Sequence, residues 1–354
     1  MQNWNRAFTN LIRNSRPAYW GNWALNPQIK PGAVGVVDPV SGEFRLVAAD
    51  LLAVKVNDMP VSNTWLLSSE HVSRKEATMK LDGTSVDPET GTTVEAGLEV
   101  KWGLEKAGAI ASEFALSHEA TVDDFGSVIL DNIDRLAVKA KSVSMGDGTN
   151  IAQGFGVVTG VLWAHSGLNV GSQEDSGSFS IAGSVSGING MLGKASGKGS
   201  YLSTNQEKSI DRHLWPERSG TLAPVPVPIA YSFASFDGRL LIPNWIMPLG
   251  AFELVLVNQV GCTYIVDATL TYDTRSGPRT QKTQISGGLT KTFGDIPLDA
   301  TNLKFHLRFI GMIHDDHYEL HWPAPLGQWL NGQRHVDMWG VWPAATHLRE
   351  REAR

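Results

Sequence analysis

The stretch from Gly148 to Asn205 constrains the fold of this chain most, because it alternates apolar with small or polar residues and is poor in charge. Residues 155–163 place apolar side chains at alternate positions, with Thr159 among them, and residues 178–186 alternate apolar side chains with serines. Period-2 alternation is typical of a β-strand with two different faces. The polar connection 171–177 suits a turn. The sequence therefore predicts a hairpin of two strands.

This hairpin has two interpretations that the sequence leaves open. In the first it belongs to a soluble antiparallel sheet with its apolar side inward. In the second it refolds into a transmembrane β-barrel, for which runs of about 9–11 residues suffice. The scarcity of Lys, Arg and Glu favours the second, because ordinary solvent-facing strands carry them. The lipid-facing residues would then be Phe155, Val157, Val161, Trp163, Phe179, Ile181 and Val185.

The N-terminal 37 residues are basic and contain no acidic residue. The apolar residues at positions 4, 8, 11 and 12 fall on one face of a helix, which Pro17 ends at about Arg16. A short basic amphipathic helix suits the surface of an anionic membrane, and it suits equally a terminal helix docked on the body of the protein. The lipid-binding candidates are Trp4, Arg6, Phe8, Arg13 and Arg16.

A second helix is predicted over Val122–Ser142, with Thr121 as its N-cap and an apolar stripe that packs on the sheet. Two turns share one pattern, Asp-Pro-x-x-Gly, at Asp38–Gly42 and Asp87–Gly91. Aspartate at the first position, proline at the second and a left-handed glycine fit a type I turn closed by a bulge.

The length of 354 residues suits two folded domains or one large one, and the composition indicates a folded core. The net charge of −6 argues against nucleic-acid binding. The proline-rich segment after Trp215 cannot lie in central strands, so we place a boundary near Gly220, between a membrane-interacting α+β domain (1–219) and a β-sandwich (220–354). Arg212 and Arg218 in this connector are candidate sites of activating cleavage.

Short strands separated by turn signals follow from residue 229 to 343 and favour a β-sandwich. The fold class expected for the whole chain is mainly β, with an α+β N-terminal part that contains a twisted antiparallel sheet and the convertible hairpin. The strands of the second part are predicted at 229–236, 239–243, 252–258, 263–272, 280–286, 289–293, 302–310, 318–322 and 335–342.

One cluster has the side-chain types that zinc prefers: His317, Glu319 and His321 share a strand face. The alternating apolar residues 318, 320 and 322 explain the same trio as the solvent side of a strand. We therefore predict no metal and no other cofactor. Phosphate-binding loops, nucleophile elbows and zinc-protease motifs are absent from the sequence, so we predict that the protein is not an enzyme.

The sequence has no apolar run of 18 residues and no secretory signal at its N-terminus. We therefore expect a chain made in the cytoplasm that associates with membranes when active, or one that is secreted by a route without such a signal.

The N-terminal 205 residues resemble β-pore-forming proteins, through the basic helix Trp4–Arg16, the helix Val122–Ser142 and the alternating hairpin Phe155–Ile188. Together these elements look like a gasdermin pore-forming domain, and an aerolysin-type toxin is the second resemblance. Either implies homo-oligomers on a membrane, and the aerolysin type implies a C-terminal domain that binds a receptor or glycan. The long β-rich C-terminal half departs from the gasdermin pattern. No residue role transfers, because no diagnostic motif aligns.

Two functions follow as expectations. The first is a soluble pore-forming protein, a toxin or cell-death effector, that binds an anionic membrane, oligomerises and inserts its hairpin. Replacing Val157 and Val185 with Asp should then abolish permeabilisation and leave the soluble fold nearly intact. The second is a lectin-like, non-enzymatic binding protein that uses the tryptophans of the C-terminal part, such as Trp329.

Overall fold

The chain divides into two compact units, unit 1 (Met1–Met247) and unit 2 (Pro248–Arg354). The computed structural model describes residues 3–61, 64–81, 85–196, 198–246, 251–274, 276–298, 300–311, 314–322, 326 and 333–352. The division falls at residue 247 and not near Gly220, because residues 227–237 form a strand that pairs within unit 1. The predicted mainly β fold class is confirmed.

Unit 1 contains helices α1 (Trp4–Arg13), α2 (Phe125–Asp131), α3 (Ile133–Ser142) and α4 (Val185–Met191). Its strands are β1 (Tyr19–Gly21), β2 (Val34–Val37), β3 (Phe44–Ala48), β4 (Val56–Pro60), β5 (Thr64–Ser68), β6 (Val72–Lys80), β7 (Ala96–Leu104), β8 (Ile110–Val122), β9 (Phe155–Ser172), β10 (Gly177–Ser184), β11 (Ser203–Glu207), β12 (Ile210–Trp215), β13 (Val227–Asp237) and β14 (Leu240–Ile242).

Strand β9 lies at the centre of a ten-stranded sheet. Along one edge it pairs with β13 and then β12, and along the other with β2 and β8. Nearly all its residues are buried. Strand β9 is therefore hydrogen-bonded along both edges and buried on both faces, as expected for a strand rich in Val, Leu and Gly.

Strand β10 belongs to a different sheet, whose order is β11-β10-β7-β6. It pairs with β7 and β11 and not with β9, so the two alternating runs are consecutive strands that pass from one sheet to another. The predicted hairpin pairing is wrong for this conformation. The turn sequence between the runs is compatible with pairing, but each strand takes its hydrogen-bonded neighbours from other parts of the chain.

The helix predicted over Val122–Ser142 is two helices, α2 and α3. The first begins at Phe125, because β8 continues to Val122 and Asp124 has a left-handed φ of 44°. The break is at Asn132, which leaves helical geometry at φ −109° and ψ 13° and donates its side-chain amide to Val128 O at 2.9 Å. The apolar stripe packs as predicted, with Leu136 and Ala140 buried.

The two Asp-Pro-x-x-Gly turns have the predicted geometry. Asp38 Oδ1 accepts from the backbone N–H groups of residues 40 and 41, and Asp87 Oδ1 accepts from those of residues 89 and 90. Both closing glycines, Gly42 and Gly91, have a φ of 70°. These self-contained bonds satisfy the turn locally, so the pattern identifies the turn without any tertiary information.

Unit 2 has two four-stranded sheets whose apolar faces form one core. The first sheet has the order β18-β15-β21-β22 and the second β17-β16-β19-β20. The strands are β15 (Ala251–Asn258), β16 (Ile265–Thr274), β17 (Gly277–Ile285), β18 (Thr290–Pro297), β19 (Thr301–Ile310), β20 (Asp316–Trp322), β21 (Gln333–Trp339) and β22 (His347–Glu352). They lie close to the predicted strands, because period-2 alternation is strong here.

Candidate functional site

Three loops meet at one end of unit 2 and form an apolar surface. They are residues 259–264 between β15 and β16, 286–289 between β17 and β18, and 340–346 between β21 and β22. None of the three contains Asp, Glu, Lys, Arg or His. We call this surface the apolar tip. Its exposed large side chains are Val260 at 93%, Val341 at 56%, Leu289 at 51% and Trp342 at 39%.

Hydrogen bonds from backbone N–H groups hold the three loops together. Thr263 N donates to Gly340 O at 3.1 Å, and Trp342 N donates to Thr263 Oγ1 at 2.8 Å. The 286–289 loop joins through Asn258, whose N–H donates to Leu289 O at 3.0 Å. The loops therefore form one continuous surface and not three separate turns.

Asn258 is the residue that fixes the base of the tip. It is fully buried, and its side-chain amide donates to Tyr264 O at 3.1 Å and Ile285 O at 3.3 Å. Tyr264 in turn donates its hydroxyl to Ala344 O at 2.8 Å. These bonds satisfy backbone carbonyls of the first and third loops and of the end of β17.

A charged corner adjoins the tip where β19 passes to β20. His314 and Asp315 lie there, and Asp315 forms an ion pair with Arg308 at 3.0 Å. A large apolar patch rimmed by polar residues marks a surface for a membrane or another apolar partner. The tip has the side chains for that role: valine and leucine to enter a hydrocarbon boundary, and tryptophan for the interface.

The residues predicted to insert into a membrane lie elsewhere, within unit 1. The structure buries Phe155, Val157 and Val161 on β9 and Phe179 and Ile181 on β10. Trp163 stacks on His118 with ring centroids 5.7 Å apart, and Val185 is the first residue of α4 and 40% exposed. Insertion would require β9 and β10 to leave their sheets, and it stays a prediction.

The N-terminal helix is docked on the body, so its apolar face does not point to solvent. Phe8 is fully buried and Trp4 stacks on Trp23 at 5.8 Å. Arg13 is buried, with its Nε donating to Tyr19 O at 3.1 Å. The lipid-binding surface proposed for Trp4, Arg6, Phe8, Arg13 and Arg16 is therefore corrected: its apolar members pack in the core.

Arg16 and Tyr19 fasten this helical segment to β8. Arg16 Nη1 contacts Glu119 Oε2 at 2.6 Å, and the Tyr19 hydroxyl donates to the other oxygen of the same carboxylate. Burial, and then this carboxylate, raises the pKa of Tyr19 above its ordinary value. Arg13 and Arg16 therefore bind groups of the protein itself, the Tyr19 carbonyl and the Glu119 carboxylate.

The two candidate cleavage sites differ in accessibility. Arg212 lies in β12, paired opposite Val170, and donates to Thr204 Oγ1 at 3.0 Å. Arg218 lies in an exposed turn between β12 and β13. A protease needs an extended, accessible segment, so only Arg218 is placed for cleavage without local unfolding.

The metal candidates His317, Glu319 and His321 are exposed along one face of β20. His317 Nδ1 lies 3.4 Å from His306 Nε2, and His321 Nε2 lies 2.9 Å from Asn302 Oδ1. Among the residues that the structure describes, no group of three or more His, Cys, Asp or Glu is arranged to hold a metal ion. Trp329, the lectin candidate, lies outside the described residues.

The sequence contained the signal for the apolar tip, but the signal was divided among three short stretches. Each is free of charge, and each looks like an ordinary turn with Gly, Ser or Pro. Their common surface depends on the pairing of β15 with β18 and of β15 with β21, which is parallel. Sequence spacing does not predict that second pairing.

No family model matches the chain, and no curated protein matches it. Among solved structures it is similar to pneumolysin, with 11% identity, a TM-score of 0.23, and coverage of 94% of this chain and 87% of that one. A structure of intermedilysin with human CD59 gives 11% identity and a TM-score of 0.23, over 95% of this chain and 87% of that one. The membrane-binding domain of pneumolysin matches 29% of this chain over 97% of its own length, with 13% identity and a TM-score of 0.22. TM-scores in this range do not establish a common fold.

Within the described ranges, no helix combines the length and the apolar character needed to cross a membrane.

Proposed function

We propose that the protein is a membrane-binding protein of the pore-forming type, which attaches to lipid through the apolar tip of unit 2. The observation that carries the proposal is the exposure of four large apolar side chains on a surface without charge. Burying a valine or leucine side chain contributes about 1.5–3 kcal/mol. Three such side chains, together with Trp342, at a bilayer boundary therefore suffice for reversible attachment.

The permeabilising step is the finer part of the proposal. Strands β9 and β10 together contain no Asp, Glu, Lys or Arg, and β9 has 18 residues, well above the roughly 9–11 that cross a bilayer. This supports their insertion after attachment, with homo-oligomers supplying partners for the backbone groups that leave the sheets. Cleavage at the exposed Arg218 is the trigger we propose. In this proposal the chain has no enzymatic activity.

Attachment is tested by flotation with liposomes of neutral phosphatidylcholine and with the same liposomes containing an anionic phospholipid. We expect Val260→Asp to lower membrane partitioning by about tenfold or more, because it puts a carboxylate in place of two methyl groups that would enter the lipid. Val40→Asp is the matched control, since Val40 is 67% exposed in a turn of unit 1. Equal partitioning of both variants would refute attachment through the tip.

Insertion is tested separately with a reversible cross-link between β10 and β7. Ser180 and Lys101 are directly paired across these strands, a separation that a disulfide spans. The Ser180→Cys, Lys101→Cys variant should bind liposomes when oxidised but release no dye, and it should regain leakage on reduction. Leakage from the oxidised form would show that permeabilisation does not require β10 to separate from β7.

A further inference from the structure

Three cross-strand pairs form a row on the outer face of the β18-β15-β21-β22 sheet. The register of β21 with β22 pairs His335 with Arg351, Asp337 with Arg349 and Trp339 with His347. The alternate residues Val336 and Met338 are in the core, so this row faces outward. We call it the β21–β22 row. Its last pair adjoins the 340–346 loop of the apolar tip.

The centre of the row is a buried carboxylate between two guanidinium groups. Asp337 is 4% exposed, and its Oδ2 lies 2.7 Å from Arg351 Nε and 3.7 Å from Arg349 Nη2. One carboxylate against two arginines leaves a local excess of positive charge. The Arg349 side chain is 66% exposed, so most of its donors face solvent.

Two acceptor atoms beneath these cations have no hydrogen-bond donor. Asp337 Oδ1 and His335 Nδ1 are both buried without a partner among the described residues. The other ring nitrogen of His335 donates to Gln333 Oε1 at 3.1 Å, which leaves Nδ1 as an acceptor. Burial lowers the pKa of His335, and Arg351 lowers it further. Buried acceptors without donors are rare and require an explanation.

The end of the row supplies an aromatic platform. Trp339 and His347 stack with their ring centroids 5.6 Å apart and their planes at 27°. Indole rings pack against the apolar face of a sugar while polar groups beside them bind its hydroxyls. Exposed donors for an anion, buried acceptors for hydroxyl groups and an aromatic surface therefore lie in one line of three residue pairs.

We propose that the β21–β22 row binds an acidic saccharide, with its carboxylate or sulfate at Arg349 and Arg351, its hydroxyls toward Asp337 and His335, and its ring against Trp339. A bidentate pair between an arginine and an oxyanion is stronger than a neutral hydrogen bond and selects for planar, charged groups. Binding draws the exposed Arg349 guanidinium away from Asp337 Oδ2 and toward the anion, which uncovers the Asp337 carboxylate for a sugar hydroxyl.

This site deepens the proposed function, since a saccharide at the row and lipid at the tip would both be met in an acidic glycolipid. Saccharide binding itself does not depend on lipid, so the two proposals fail separately. The site adds specificity to an attachment that the apolar tip alone would give to any bilayer.

The test uses the full chain and three soluble sugars, lactose, 3′-sialyllactose and 3′-sulfolactose, in calorimetric titrations. We expect the two acidic sugars to bind and lactose to bind at least about tenfold more weakly. A higher affinity for 3′-sialyllactose than for 3′-sulfolactose, or the reverse, identifies whether the site prefers a carboxylate or a sulfate. Equal binding of lactose, or no binding of either acidic sugar, would overturn the proposal.

Variants separate recognition from folding. Arg349→Gln should lower the affinity for the acidic sugars by about tenfold, while Lys282→Gln, which removes an exposed cation from the other sheet of unit 2, should not change it. His347→Ala tests the platform at an exposed position. Arg349→Gln should still float with phosphatidylcholine liposomes and Val260→Asp should still bind the sugars. Unchanged sugar affinity in Arg349→Gln would refute the assignment of the row.

Discussion

Two charge-poor apolar regions among the described residues have opposite surroundings. Strands β9 and β10 of unit 1 lie inside sheets, with Val157 only 1% exposed. The apolar tip of unit 2 exposes Val260 at 93%. The sequence signal is the same in both, because excluding charge serves a core and a membrane surface equally. What separates them is whether other parts of the chain pack on the apolar side chains: Val157 shares a core cluster with Leu136 and Ala140 of α3.

The largest expected effect is the difference between an aspartate placed in each region. Val157→Asp should lower the free energy of unfolding by about 3–5 kcal/mol, because it buries a carboxylate without a partner. This corrects the expectation that the soluble fold would tolerate the change. Val260→Asp should alter stability by less than about 0.5 kcal/mol. Urea titrations followed by circular dichroism measure both, and equal stabilities would show that β9 is not core.

A buried ion pair in unit 1 provides the second test of this core. Arg74 on β6 contacts Glu113 on β8 with Nε and Nη2, at 2.7 and 3.0 Å, and Glu113 is 2% exposed. Arg74→Met should cost about 3 kcal/mol of stability, because the carboxylate is left unpaired. Lys75→Met, an exposed neighbour on the same strand, is the control.

The pH dependence of the Arg74→Met variant distinguishes a lost charge pair from lost packing. Burial raises the pKa of Glu113, although Arg74 opposes this, so without Arg74 the native state binds the proton more strongly than the unfolded chain. Stability from this group is present below the unfolded pKa and is lost as pH rises through the higher native pKa. The deficit against Lys75→Met should therefore shrink from pH 7 to pH 4.5. A constant deficit would indicate a packing defect alone.

Much of the fold could be predicted from local signals, and most of the site could not. Strands β19 and β20 of unit 2 alternate strictly, and the Asp38 and Asp87 turns satisfy their own backbone, so each is visible within a few residues. The partner of β10 and the docking of α1 depend on residues that are distant in the chain. For the same reason the tip, whose base Asn258 joins two turns, was not predictable from spacing.

Asn258 gives an intermediate effect that is confined to the tip. Asn258→Ala removes the donors to Tyr264 O and Ile285 O and should cost about 1–3 kcal/mol in unit 2. Faster hydrogen exchange at residues 259–264 and 340–346, with β9 unchanged, is the expected pattern. Gln259→Ala alters an exposed neighbour and is the control. Equal exchange in the two variants would show that Asn258 does not hold the loops.

The smallest expected effect tests whether membrane attachment depends on the exposure of an apolar side chain or on the absence of charge around it. Two valines with similar exposure lie in different charge environments and allow the comparison. Val341 at the tip is 56% exposed without a charged residue in its loop, whereas Val138 on α3 is 64% exposed beside Lys139 and near Arg135 and Lys141. Val341→Ala removes two carbon atoms from the lipid contact, worth about 0.8 kcal/mol for the half that lies exposed. Liposome partitioning should therefore weaken by about fourfold. Val138→Ala should leave partitioning unchanged, because the flanking cations keep that helix face hydrated, and should slightly raise stability through helix propensity. If both valines contribute equally, apolar exposure alone determines attachment, and the charge-free surroundings of the tip are incidental.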